Sequence, residues 1–284
     1  KIVGYTRLYE SKAQKLDVSK KSYEQALFQL KEKQQRVQLL SDLENSMEGF
    51  SHSVKEVIKA SKSSRISGIK GSIAQLIKVD GKYSIAIETA LGAALQNVVV
   101  ENEENAKRCI NLLKEQNAGR ATFLPITSVK GNTLTENGLS EHDGFIAVAS
   151  DLVTYDPEYS GIIRSLLGRI VIAEDIDFAA IISKKYGYKF KIVTLDGQVV
   201  NAGGSFTGGS TSRSSGVLTR KNEIDDLRNQ IEKLTKNLEV LKADTAKLQA
   251  ETDKLSFDII GEKDEISKIT EVKIRFQSEQ KRIQ

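Results

Sequence analysis

The chain has 284 residues, with 42 Lys and Arg against 38 Asp and Glu, a net charge of +4, two prolines, one cysteine and no tryptophan. That length supports one or two domains with a real core. The lone cysteine excludes a disulfide framework and suits a reducing cytosol, no apolar run approaches the ~20 residues of a membrane span, and a mildly basic balance permits an acidic partner without requiring one.

The chain opens on Lys1, inside a helical pattern and without a signal peptide, so it is read as part of something longer. Residues 1–48 hold one glycine, Gly4, and residues 219–284 one, Gly261, whereas 49–216 are glycine-rich with β-branched runs. Helix, globule, helix is the expectation: an N-terminal coiled-coil arm over 1–48, a central domain over 49–216 and a C-terminal arm over 217–284.

In the first arm Ile2, Tyr9, Leu16, Tyr23, Leu30 and Val37 recur every seven residues, with Tyr5, Ala26, Leu40 and Met47, but also Lys12 and Lys33, on the companion seam position. The second arm is clearer. Leu227, Leu234, Leu241, Leu248 and Leu255 share one register, continued by Ile269, Phe276 and Ile283, with Ile224, Ile231, Leu238, Ile259 and Ile266 offset by three. A strict seven-residue repeat makes a left-handed supercoil. Thr245, Thr252 and Lys273 fall on the seam and should loosen it. The arms would reach roughly 70 and 100 Å. Domain termini tend to adjoin, so one arm entering and one leaving predicts an intramolecular antiparallel coiled coil.

Between the arms, residues 66–79 read as a glycine turn and a strand, 83–95 as a helix, 97–101 as a strand, 103–116 as an amphipathic helix and 119–125 as a strand. A weakly structured stretch over about 127–143 looks like the divide between two lobes, about 49–127 and 143–216. A strand at 145–148, a helix at 159–167, a strand at 170–173, a helix at 176–186 and a strand at 191–195 follow. Asp196-Gly197 then turns into 198–201 as a hairpin. The alternation predicts an α+β (mixed α/β) domain.

Next comes a glycine string, Asn201-Ala-Gly-Gly-Ser-Phe-Thr-Gly-Gly-Ser210. A phosphate-binding P-loop needs Gly-x-x-x-x-Gly-Lys-Ser/Thr, and no lysine follows Gly209. No βαβ unit opens there either, against a dinucleotide site. The string reads instead as backbone that takes positive φ or is approached closely by another backbone, including one from another subunit.

Gly68-Ile-Lys-Gly71, Ala86-Ile-Glu-Thr-Ala-Leu-Gly92, Gly119-Arg-Ala-Thr-Phe-Leu-Pro125, Leu167-Gly-Arg169 and Leu195-Asp-Gly197 leading into the glycine string occur in this order between two heptad arms. Together they make the region from Phe50 to Ser210 resemble the hinge domain of SMC (structural maintenance of chromosomes) proteins, most like the bacterial form. The resemblance implies a two-lobed hinge at the tip of the coiled coil, serving a chromosome condensation and segregation ATPase that folds back at the hinge. It implies a homodimer through the hinge, a ring or rod that entraps DNA, and a cytoplasmic, nucleoid-associated protein. ATP and magnesium would bind at head domains absent from this sequence, with kleisin-type partners there as well. The family's interface segment maps onto Gly203, Gly204, Gly208 and Gly209. No Walker A, ABC signature or Walker B motif is visible, so no cofactor and no catalysis are expected of this chain.

Weak, non-specific DNA binding is expected from Lys55, Lys59, Lys62, Arg65 and Lys70, opposed only by Glu56, joined by Arg213, Arg220 and Lys221 where the chain leaves the domain. The alternatives are a solvated lysine face and a coiled-coil spacer with no DNA contact. No aromatics interleave these cations, so the contact would be to phosphates rather than stacked bases. His52, His142 and Cys109 have no zinc-ligand spacing, and neither histidine sits beside a nucleophile. Glu101, Glu103 and Glu104 read as helix capping rather than metal ligands.

Overall fold

The computed structural model describes residues 1–210 and 216–283, in two compact units: Lys1–Gln38 with Leu227–Gln284, and Leu39–Asp226. Helix α1 spans Ile2–Asn45 and α2 His52–Lys62; then come β1 (Ile69–Ser72), α3 (Ile73–Leu76), β2 (Lys78–Val79), α4 (Ser84–Leu91), β3 (Val98–Val100), α5 (Glu103–Glu115) and β4 (Phe123–Pro125). The second half holds β5 (Phe145–Val148), β6 (Val153–Thr154), α6 (Ser160–Leu167), β7 (Ile170–Ala173), α7 (Ile176–Lys185), β8 (Lys191–Thr194), β9 (Val199–Val200), β10 (Phe206–Thr207) and α8 (Val217–Ile283).

In the first unit α1 and α8 run antiparallel. Lys1 meets Glu262 at 3.3 Å, Lys12 meets Glu251, and Ser19 Oγ lies 2.7 Å from Thr245 Oγ1. Leu16 and Ala26 are buried where the heptads put them, as is Leu238 opposite. Several polar seam residues find hydrogen-bond partners. Thr245 and Thr252 donate to the carbonyls of Leu241 and Leu248 one turn back, and Lys12, by hydrogen bonding to Glu251, holds that carboxyl below its usual range. Ile266, Ile269 and Phe276 lie past Glu262, the partner of Lys1, and are exposed.

The second unit is mixed helix and sheet. One sheet has the order β1-β3-β4, antiparallel then parallel. Because strand side chains alternate, Val98 and Val100 face a core with Val54, Val57 and Ile58 of α2 and Cys109 and Leu113 of α5, while Val99 faces the other way. The second sheet has the order β10-β9-β8-β7-β5. Its Ile172 and Val193 join Ile73, Ile77, Ile87 and Val99 in one core shared by both halves, and its Val171, Ala173 and Ile192 pack against α7. A short ribbon, β2 with β6, also ties the halves together.

Three expectations change. The strand over 66–79 is broken by α3, because Gln75 at the third helical position accepts from the Ser72 N–H at 3.0 Å and starts a helical turn. Helix α2 appears where only a basic run was read. The stretch over 127–143 is irregular but tightly seated on α6. The Leu134 N–H donates to the Gly168 carbonyl at 2.8 Å, and Cβ atoms built on Gly131, Gly161 and Gly168 would lie 2.0 Å from Ser165 N, 2.6 Å from Val129 O and 2.4 Å from Asn132 O. Glycine is what lets loop and helix touch.

Candidate dimerisation edge and nucleic-acid interface

Strands β8 and β9 form the hairpin expected at Asp196-Gly197, pairing Ile192 with Val200 and Val193 with Val199. Gly197, at φ 88°, closes the turn, its N–H donating to the Thr194 carbonyl at 2.9 Å. Hydrogen bonds from Thr194 and then Gln198 hold the Asp196 carboxyl below its ordinary range. The chain then turns again through Asn201 and returns as β10, the edge strand.

The glycine string makes that second turn. Gly203 and Gly204 sit at φ 89° and 92°. The Gly203 N–H donates to the Tyr188 carbonyl at 2.9 Å, and a Cβ on Gly204 would touch the Tyr188 ring at 3.4 Å. Gly209, at φ 143°, donates its N–H to Gln198 Oε1 at 2.8 Å, and Gly208 leaves room for that same amide, which a Cβ would meet at 2.2 Å. Intrachain geometry therefore accounts for Gly204 and Gly208, and positive φ for Gly203, Gly204 and Gly209. Around the Cβ positions of Gly203 and Gly209 there is open space.

What the sequence reading missed is the residue between the two glycine pairs. Phe206 on β10 is 55% exposed. The Asn201 N–H donates to the Ser205 carbonyl at 2.8 Å, so ladder alternation makes Val199–Thr207 the next bonded pair and turns the Phe206 N–H and C=O outward. An aromatic on an unpaired edge is a ready template for another strand. Strand β4 is an edge of the other sheet, and beside it a cleft of about 390 Å³ is lined by Ile110, Leu113, Lys114, Arg120, Ala121 and Phe123.

The basic candidates separate into two groups. Lys55, Lys59 and Lys62 are i, i+4 and i+7 on α2, one stripe opposite the face that buries Val54, Val57 and Ile58. Lys59, Lys62 and Arg65 are exposed and Lys55 is half-buried. Lys70, Arg220 and Lys221 have intrachain partners. Lys70 lies 3.3 Å from Glu101 and 3.9 Å from Glu158. Arg220 is buried and donates to the Glu48 carbonyl at 3.3 Å, and Lys221 donates to the Ile77 carbonyl at 3.2 Å. Arg213 lies outside the described residues. Entry and exit do adjoin, as the Arg220–Glu48 bond shows, but Arg220 and Lys221 point into the domain.

Burial pushes the Cys109 thiol up to about 11, away from nucleophile chemistry. Glu103 and Glu104 occupy the first turn of α5; bonding to its own backbone N–H, then to Ser128 and Thr127, holds the Glu103 carboxyl low. Among the described residues no group of three or more His, Cys, Asp or Glu could hold a metal, and no helix is long and apolar enough to cross a membrane.

A family model for the flexible hinge domain of SMC proteins matches residues 66–183. The chromosome partition protein Smc of Bacillus subtilis (strain 168) is 39% identical over 205 residues, 71% of this chain and 17% of that protein. That of Halothermothrix orenii is 40% identical over 194 residues, 68% of this chain and 16% of the relative. The chain thus spans about 17% of the length of the curated relatives it matches. Among solved structures, an asymmetric dimer of the Geobacillus stearothermophilus SMC hinge domain superposes with a TM-score of 0.74 at 34% identity, covering 85% of this chain and 98% of that one. The Pyrococcus furiosus Smc hinge domain with an extended coiled coil gives 0.50 at 26% identity, covering 95% and 97%. Hinge sheets, paired heptad arms and near-complete coverage of a solved hinge agree: this chain belongs to the SMC family and is its hinge domain with flanking coiled coil.

Proposed function

We propose that the chain is the homodimerisation hinge of a chromosome-partitioning SMC protein, joining two long coiled-coil arms into a ring or rod that entraps DNA. The observation that carries this is the open edge of β10, with Phe206 exposed between two glycine pairs. The solved Geobacillus stearothermophilus hinge is itself an asymmetric dimer. The free edge of β4 with its cleft is a surface of matching kind, so β10 of one copy adds to β4 of the next, twice about a two-fold axis. The whole protein is an ATPase whose heads take ATP, magnesium and a kleisin-type partner, at work on the nucleoid in the cytoplasm. Sedimentation equilibrium tests the core of the reading. At tens of micromolar the fragment should have twice the 31.4 kDa of one chain; a single-chain mass overturns it.

The hinge also holds DNA weakly through Lys55, Lys59, Lys62 and Arg65, by phosphate contacts without sequence preference. Replacing all four by glutamine should weaken binding alike on every sequence and lower the log–log salt slope by about 0.9 per lost contact. The dimer mass should not change. Lys70→Gln should do little, since that ammonium already faces Glu101 and Glu158. If the quadruple variant binds DNA like the parent at low salt, the stripe is a solvated face and nothing more; a parent that gives no salt-dependent DNA shift is a spacer without DNA contact.

A further inference from the structure

The exit helix α8 begins without a cap of its own. Gly216, the residue before it, has no side chain to offer, and its first turn carries no acid. The first N–H groups of a helix need acceptors, and its N-terminus favours an anion. Both needs are met from 129 residues upstream. Glu88 of α4 accepts from the Val217 N–H at 2.6 Å and from Thr219 Oγ1 at 3.3 Å. The glycine is part of the arrangement, since a Cβ on Gly216 would lie 1.9 Å from Glu88 Oε2. The carboxylate occupies the place of a capping side chain.

The residues that follow Glu88 in α4 are held as well, from the sheet side. Lys191, the first residue of β8, donates to the carbonyls of Ala90 at 3.1 Å and Thr89 at 3.4 Å in its last turn. No ion pair with a carboxylate accompanies it among the described residues, and burial lowers its pKa. A half-buried ammonium whose hydrogen bonds go only to carbonyls is an unusual choice where an apolar residue would fit. Just past α4, Gln96 accepts from the Ser51 N–H at 2.8 Å and donates to the Gly49 carbonyl at 3.1 Å, clasping the turn after α1.

We propose that α4 is a mechanical coupler. Its last turns link β8, and through the ladder β9 and the open edge β10, to the first turn of α8, with Lys191 gripping the Thr89 and Ala90 carbonyls and the adjacent Glu88 acting as the positioning residue for the exit helix. A shift of the β8–β10 ladder then reaches α8 through two pairs of contacts in series, from Lys191 to the Thr89 and Ala90 carbonyls and from Glu88 to Val217 and Thr219. Its sense as a link between pairing of two copies and the coiled coil rests on the dimerisation reading; the coupling itself does not.

Amide hydrogen exchange over residues 217–222 tests it. Glu88→Ala should speed exchange there roughly fivefold, as loss of a helix cap does, and Gly216→Ala should do the same by evicting the carboxylate. Lys191 touches no residue of α8 by hydrogen bond, yet Lys191→Met should also speed exchange over 217–222, Lys191→Arg should restore it, and in the Glu88→Ala background Lys191→Met should add nothing. Gln96→Ala should loosen residues 49–51 and leave 217–222 unchanged. Thermal melting of each variant separates local loosening from loss of the fold, with Lys191→Gln in reserve where the methionine variant fails to fold. Parent-like exchange in Lys191→Met, or effects of Glu88→Ala and Lys191→Met that multiply independently, overturns the coupler. Sedimentation of the same samples reports the dimer separately, so a monomeric parent would defeat the dimerisation reading while the exchange data still decide the coupling.

Discussion

Phe206→Pro should convert a dimer of this hinge to monomer while the domain remains folded. In the ladder between β9 and β10, Phe206 is a non-bonded position, so its N–H faces away from β9. Proline there removes no intrachain hydrogen bond and is tolerated on an edge, but it deletes the donor that an added strand would use and blocks that strand's approach. Losing that bond and the apolar contact of the ring at both junctions of the dimer, at about 1–1.5 kcal/mol per lost interaction, should raise the dissociation constant by roughly a thousand- to ten-thousandfold. Phe206→Arg keeps the donor and puts a charge on the edge, and should weaken pairing without proline's restraint. The glycines are poorer probes than the sequence suggested. Alanine at Gly203, Gly204 or Gly209 strains a positive-φ turn in the single chain, and at Gly208 it collides with Gln198, so a monomer from those variants could reflect a damaged turn. Sedimentation with an unchanged melting temperature for Phe206→Pro is the cleaner measurement. A parent-like dimer for both Phe206 variants would remove β10 from the interface.

The pattern of success in reading the sequence follows the range of the forces involved. Seam positions such as Leu16, Ala26 and Leu238 were legible because heptad spacing is local and repeats. The helix over 103–116 was legible because its apolar residues keep a 3.6 period; in the structure Asn102 caps it, accepting from the Asn105 N–H. Two local signals were present and passed over. Ser72 and Gln75 have capping-box spacing, and Val54, Val57 and Ile58 opposite a lysine stripe have helical spacing. The site was harder because its partners are distant in sequence. Nothing near Lys70 announces Glu158, nothing near Arg220 announces the Glu48 carbonyl, and the cap that Glu88 gives α8 spans most of the domain. The glycine string was visible as a backbone device, but which glycines serve the chain's own turn depended on Tyr188 and Gln198 coming to rest beside them.

Gly131→Ala should be among the most damaging single-methyl changes in the domain, and Gly261→Ala should stabilise its helix. The two differ only in surroundings. Gly261 lies inside α8, and a Cβ there would meet nothing within 4 Å, so alanine lowers the backbone entropy lost on forming helix and should gain up to about 1 kcal/mol. Gly131 needs no positive φ; the obstacle is space. Its Cβ would lie 2.0 Å from Ser165 N, 2.3 Å from Ser165 Cα and 2.4 Å from the Arg164 carbonyl carbon, all backbone of α6, which no rotamer change relieves. The loop would have to lift, giving up its contacts at Gly161 and Gly168 and the bond from the Leu134 N–H to the Gly168 carbonyl. Leu134 is buried in one cluster with Val171, on the sheet that ends in β10, and Ile182 of α7. Overpacking against rigid backbone costs about 1–3 kcal/mol or more, a large share of a domain's net stability. Urea unfolding should show a lower midpoint with an unchanged slope for Gly131→Ala. A parent-like midpoint would mean that this loop does not rest on α6 in solution.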